Sequence, residues 1–219
     1  MARGIGSWLR NALGQSRIEA ETPAVKVTMT TGSLPSGSSK APDMSPYSRR
    51  EGVIYRSDHM PPEREAERFY LADDGLPTGY LAHRAGQLVI LADGEPEEIV
   101  NPRSSRTHRL GLYSFRVRGV THHAAAVAAG NFSPGATVRL VREPNNEHDS
   151  NAIAVYAQHG IRPAGYVNRQ NAARLAKRID AGDELANVVL RGGSAGDEST
   201  APVILVASPA VIAHLRRNL

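Results

Sequence analysis

The sequence contains no cysteine. Disulfide bridges and thiolate-held zinc are thereby excluded. Aromatic residues make up only 5% of the chain, with one Trp and three Phe. Lysine is nearly absent too: 3 of the 26 basic residues are Lys and 23 are Arg. Guanidinium suits forked contacts with phosphate, and a codon bias would give the same ratio. No apolar run approaches the ~20 residues of a membrane-spanning helix, and no secretory leader is visible, so a cytoplasmic protein is expected. No Gly-Lys-Ser/Thr phosphate loop occurs, which excludes a P-loop nucleotide site. Ser114 and Ser150 stand in no nucleophile motif. What remains is 219 residues with a net charge of +4 and a pI near 9.6. That is room for one ordinary domain plus extra segments, with a charge that permits an anionic partner without demanding one.

The chain divides unevenly. Residues 1–20 include "IGSWLRNAL", where Ile5, Trp8, Leu9 and Leu13 follow helical spacing and Arg3, Arg10 and Arg17 fall elsewhere on the wheel. A short amphipathic helix is expected there, able to dock on its own protein, on a partner protein or on a membrane surface. Residues 21–50, with "TTGSLPSGSSKAPDMSP", are rich in Ser, Gly and Pro and read as a disordered linker. Residues 51–110 give a mixed signal. "GQLVILADGEPEEIV" reads as a strand, a turn at Asp93-Gly94 and a second short strand, and "NPRSSRTHR" reads as a basic linker.

Residues 111–219 are the informative part. "LYSFRVRG" alternates Tyr113, Phe115 and Val117 with Ser114, Arg116 and Arg118, the pattern of a half-buried strand. "TVRLVRE", "AIAVYA", "AGYV", "NVVLR" and "VILVA" supply further strands. "NRQNAARLAKRI" is helical, with Asn168 as its cap and Ala172, Leu175, Ala176 and Ile179 as its buried stripe. Arg174 lies on an adjoining face with Lys177 and Arg178. The expected class is mainly β (α+β): a small barrel of about six strands with one or two helices, behind a disordered amino-terminal tether. From Gly111 to Arg191, ten basic residues stand against six acidic ones.

Two polar clusters fall at strand ends, where a barrel gathers its loops. One is "GVTHH", Gly119 to His123; the other is "EPNNEHD", Glu143 to Asp149. Three chemistries can use them. His122, His148 and Asp149 are plausible ligands for zinc in a metal-dependent hydrolase of phosphate esters, although adjacent His122 and His123 would point to opposite faces of an extended stretch. Acid–base catalysis finds a His–Asp pair and nothing further. The third chemistry is recognition of a single-stranded nucleic-acid end: rings stack on unpaired bases, Arg side chains meet phosphates, and an ionised Asp, which only accepts, takes a hydrogen bond from a terminal sugar hydroxyl. The plainest alternative is that Asp149 and the asparagines only fix the loop while the histidines are solvated.

At these residues the chain resembles a HIRAN domain, the small module found in helicase-like DNA-repair ATPases and in many bacterial proteins. The resemblance rests on three blocks in order: "GVTHH", "REPNNEHDSNAIAVY" and "AGYVNRQNAARLAKRI", spanning residues 115–181. It implies an OB-like barrel that captures the 3′ end of single-stranded DNA in repair or replication-associated processes. Asp149 would accept the terminal 3′-hydroxyl, and His148 and His122 would stand where the family sets rings against the terminal base. Asn145, Asn146 and Asn151 would shape the loop. The implied DNA-binding set is Thr121, His122, His123, His148, Asp149, Arg116, Arg118, Arg142 and Arg174, with no catalytic residue and no cofactor. A DNA-binding member of the family carries Arg at the position of Thr121 and Tyr at those of His122 and His148. The replacements here remove a charge-assisted contact and shrink the stacking area, so weaker and more pH-sensitive binding is expected. The same departures suit a rival role, an adaptor that binds a protein through the amino-terminal helix.

Overall fold

The computed structural model describes residues 53–193 and 200–219. The expected helix in residues 1–20 and the linker in residues 21–50 lie outside the described residues.

Six strands enclose one core: β4 (Tyr113–Arg116), β5 (Val138–Arg142), β6 (Ile153–Ala157), β7 (Gly165–Tyr166), β8 (Ala186–Arg191) and β9 (Val203–Ala207). They form two antiparallel three-stranded sheets, ordered β4-β9-β8 and β5-β6-β7. Two seams join the sheets. At one, Arg118 and Tyr166 exchange both backbone hydrogen bonds, at 2.8 and 2.9 Å. At the other, Val189 bonds Gly135 and Ala136, each at 2.8 Å. Beside it the Asn187 side chain acts as a strand partner for Val138, accepting from its N–H at 2.8 Å and donating to its carbonyl at 2.9 Å. The expected barrel of six strands is present, with two short seams where an ideal barrel has continuous sheet. The first seam requires glycine at position 165. With φ at +149°, a Cβ there would stand 2.4 Å from the Arg118 carbonyl oxygen, a distance no packed pair tolerates.

The helical complement exceeds the one or two expected. Besides α4 (Arg169–Asp180) there are α3 (Ala124–Ala129) and α5 (Pro209–Leu215). The Ala-rich run after His123 forms α3 because alanine loses no side-chain entropy in a helix. Ala172, Leu175 and Ala176 of α4 are buried, with Ile179 packed at the edge, as the stripe predicts. Asn168 holds the cap position but bonds no helical N–H; its Oδ1 accepts from Asn171 Nδ2 at 2.9 Å.

Residues 53–110 supply α1 (Pro62–Arg68), a hairpin of β1 (Gly79–Arg84) and β2 (Gln87–Ala92), the short β3 (Ile99–Val100) and α2 (Ser105–Arg109). The strand–turn–strand reading of "GQLVILADGEPEEIV" corresponds to β2 and β3, with Asp93 and Gly94 between them. "NPRSSRTHR" is more than a linker, because Ser104 accepts from the Thr107 N–H at 3.1 Å and caps α2. The third sheet, β1-β2-β3, shares a second core with the barrel. Strands β8 and β9 therefore have two apolar faces. Val189, Ile204 and Val206 point into the barrel, while Val188, Leu190, Val203 and Leu205 meet Leu81, Leu88 and Ile90 on the other side. The unbroken apolar run "VILVA" is the sequence mark of such a strand.

Candidate nucleic-acid interface

The two loops singled out in the sequence meet at Tyr166, the last residue of β7. The first loop leaves β4, turns at Gly119 (φ +76°) and returns through His122 N–H to the Gly119 carbonyl at 3.0 Å. His123 then opens α3, and its ring packs tilted against Tyr166 with centroids 5.8 Å apart. The Glu143 carboxylate lies within hydrogen-bonding reach of the Tyr166 hydroxyl. Burial first, then the Glu143 charge and this hydrogen bond, hold the phenol above its ordinary range.

Glu143 also accepts from Asn146 Nδ2 at 2.9 Å. The Asn146 Oδ1 in turn accepts from the His148 and Asp149 N–H groups, at 3.0 and 3.3 Å. Asp149 Oδ1 accepts from the Asn151 N–H at 2.8 Å, the self-bonding turn that Asx residues favour. Tyr166, Glu143, Asn146, Asp149 and Asn151 thus form one chain of polar contacts around the loop. Asn145 is exposed at the bend.

The two oxygens of Asp149 have different surroundings. Oδ1 is spent on the turn, whereas Oδ2 faces Arg169 Nε at 3.7 Å. That distance is an ion pair too long for a direct hydrogen bond. The Asp149 side chain is 22% exposed and the Arg169 side chain 85%. A mostly buried acceptor therefore sits beside an exposed, forked donor at the start of α4.

The remaining expected residues divide. Thr121, His122 and His148 are exposed on the two loops, and Arg118 is exposed at the seam beside Tyr166. Arg142 is occupied within the protein. Its Nε and Nη2 bond Asp180 at 3.1 and 2.9 Å, and its Nη1 bonds the Ser150 and Ala152 carbonyls at 2.9 and 3.2 Å. The Asp180 hydrogen bond lifts the Arg142 guanidinium above its usual value and depresses the Asp180 carboxyl. Arg174 bonds His108 Nδ1 at 3.0 Å, beside a stack of His108 on Tyr113, so its guanidinium turns toward α2. Arg116 lines a cleft under the third sheet. Among the described residues no three His, Asp or Glu side chains gather in a metal-holding group. The zinc alternative of His122, His148 and Asp149 is not assembled. A cavity of about 760 Å³ is lined mainly by Ala and Gly around α3 and contains none of these loop residues.

Tyr166, Glu143 and Arg169 complete the site; the sequence places Glu143 at the start of the second polar cluster but gives none of the three a binding role. Tyr166 was within reach, since it sits in the quoted "AGYV" block. Arg169 was not, because nothing in sequence pairs it with a residue twenty positions earlier.

Solved structures similar to this chain include the crystal structure of the HIRAN domain of human HLTF, at 22% identity over 48% of this chain and 83% of that one, with a TM-score of 0.35. A protein from Lactobacillus plantarum is similar at 22% identity over 44% and 92%, with a TM-score of 0.33. The HLTF HIRAN domain in its DNA-bound conformation is similar at 24% identity over 48% and 82%, with a TM-score of 0.32. Among curated proteins no match was found. No helix of the described residues is long and apolar enough to cross a membrane. The family model of the HIRAN domain matches residues 110–200, the span that holds both loops and the whole Tyr166–Asp149 network, and over that span the chain carries a HIRAN domain.

Proposed function

We propose that this protein is a binding module, not an enzyme, and that the loop end of its barrel holds single-stranded DNA by a free 3′ terminus. The observation that carries this reading is the unequal pair of oxygens on Asp149. Oδ1 is fixed by the Asn151 amide, and Oδ2 is held in place with Arg169 at 3.7 Å. An ionised carboxylate only accepts, so Oδ2 suits a terminal hydroxyl and repels a phosphate at the same point. Arg118, exposed beside Tyr166, and the outward side of the exposed Arg169 suit the backbone phosphates that follow. The rings of His122 and His148, exposed on either loop, suit an unpaired base. The family match supports the same ligand class, and the HIRAN domain of human HLTF has a DNA-bound conformation.

Fluorescence titration of the full chain with oligonucleotides ending in 3′-hydroxyl or 3′-phosphate tests the reading. The hydroxyl form is expected to bind about tenfold or more tightly, the worth of a hydrogen bond to an ionised acceptor. Asp149→Ala should equalise the two while leaving non-specific affinity in place. Equal affinities in the unaltered protein would remove end recognition, and absence of binding at low salt would remove the DNA ligand altogether.

A further inference from the structure

A second basic site lies away from the loops, between the third sheet and the barrel. A cavity of about 370 Å³ opens there, with a floor that includes Val89 and Leu190. Its ionisable lining residues are Arg56, His59, Arg103, Arg116 and Arg191, without one Asp or Glu among the described residues. A smaller cavity of about 240 Å³ shares Arg103 and Arg116 and adds Arg118 and Asn168. Three chain segments thus bring guanidinium groups together: the turn after β3, strand β4 and the end of β8.

This convergence is costly and built. The Nη2 of Arg191 is buried and has no hydrogen-bond acceptor among the described residues. Arg103 and Arg191 are both held below the ordinary Arg value, first by burial and then by neighbouring guanidinium charge, which for Arg103 comes from Arg116, Arg191 and Arg118. Like charges held this close destabilise one another. Arg103 is nonetheless fixed in position. Its N–H donates to Asn101 Oδ1 at 3.0 Å, and the next residue, Ser104, caps α2 and donates to the buried Glu65 carboxylate. These contacts fix the stretch of backbone from which the Arg103 side chain leaves.

We infer that the Arg103–Arg116–Arg191 cleft is a phosphate-binding site, distinct from the Asp149 pocket and built partly from residues that precede the HIRAN span. A tetrahedral anion offers several oxygens to several forks at once, which is the geometry guanidinium serves best. Its charge removes the mutual repulsion and gives the buried Nη2 an acceptor. The phosphate has two chemical sources: the backbone of a nucleic-acid strand that continues past Arg118, or a small phosphate ester. The site stands on the cleft alone and does not require the 3′-end reading.

Two measurements on the full chain test it, using the unaltered protein, Arg191→Met and Arg103→Ala; the second variant changes an exposed turn and serves if the first does not fold. In thermal unfolding, inorganic phosphate at ten times its Kd is expected to raise Tm by about 4 °C over chloride at equal ionic strength. Both variants should lose that shift. In oligonucleotide binding, each variant should lower the slope of log affinity against log salt by about 0.7 for every strand phosphate lost. A lowered slope identifies strand phosphates as the ligand; a lost Tm shift with an unchanged slope identifies a small phosphate ester. If the variants match the unaltered protein in both measurements, the site does not exist, whatever the fate of the Asp149 pocket.

Discussion

Arg142 closes strand β5 and Arg191 closes strand β8, yet the two regions treat the same side chain in opposite ways. Around Arg142 every direction is filled, with a two-point contact to Asp180 and two loop carbonyls. Its guanidinium is stabilised as a cation. Around Arg191 burial and Arg116 push the other way, and Nη2 finds no acceptor among the described residues. One arginine holds a loop together. The other waits for an anion. Much of the difference lies in charged neighbours distant in sequence, Asp180 in one case and Arg116 in the other.

Three substitutions break or sharpen that contrast. The largest effect is expected from Gly165→Val, because the seam between Arg118 and Tyr166 serves both regions. The added side chain collides with backbone and demands an unfavourable φ. A stability loss of about 3 kcal/mol, the upper range for overpacking, should appear in urea denaturation, together with loss of both binding properties. A smaller and local effect is expected from Arg142→Met. The Asn151 and Ala152 amides should exchange with solvent at least about tenfold faster, because all four guanidinium bonds are lost, while the Arg191 cleft keeps its phosphate response. Acid tolerance should change as well. The depressed Asp180 carboxyl contributes stability that is present above its ordinary value of 3.8 and is lost as pH falls through the lower folded value. In Arg142→Met that acid loss should flatten.

The smallest effect concerns His108, which lines the lesser cavity of the arginine cleft. Its burial, and then Arg174, lower its pKa from 6.5. The fold favours the neutral ring, so the stability it contributes is complete above 6.5 and declines as pH falls below that value. His108→Phe, which preserves the stack on Tyr113, should flatten the stability profile between about pH 7 and 5. A profile identical to that of the unaltered protein would remove His108 as a contributor.

Much of the barrel was legible in the sequence because its signals are local. Alternation in "LYSFRVRG", the apolar run "VILVA" and the spaced stripe of "NRQNAARLAKRI" each follow from the period of one element, and each element is present. The hairpin of β1 and β2 escaped notice because its turn is Ala85-Gly86, both at positive φ, without the Asn-Gly or Asp-Gly pair that marks such turns. The candidate site was legible where loop chemistry is dense, at Asn146, Asp149 and Asn151. It was illegible where a partner arrives from another element. Arg142 reads as a phosphate contact on its strand, and only Asp180 in the folded chain makes it structural. Arg103 reads as part of a basic linker, and only the packing of β2 and β3 against β8 turns it toward Arg191.

The double-faced strands carry one more consequence. The outer surface of β8 and β9, with Val188, Leu190, Val203 and Leu205, is covered by Leu81, Leu88 and Ile90 from residues that the HIRAN match leaves out. A fragment cut at residue 110 would lay that apolar sheet bare and discard half of the arginine cleft with it. The frontier drawn by likeness to other proteins and the frontier drawn by water exclusion therefore do not coincide. In this molecule the smallest piece that can stand alone is larger than the piece that can be recognised.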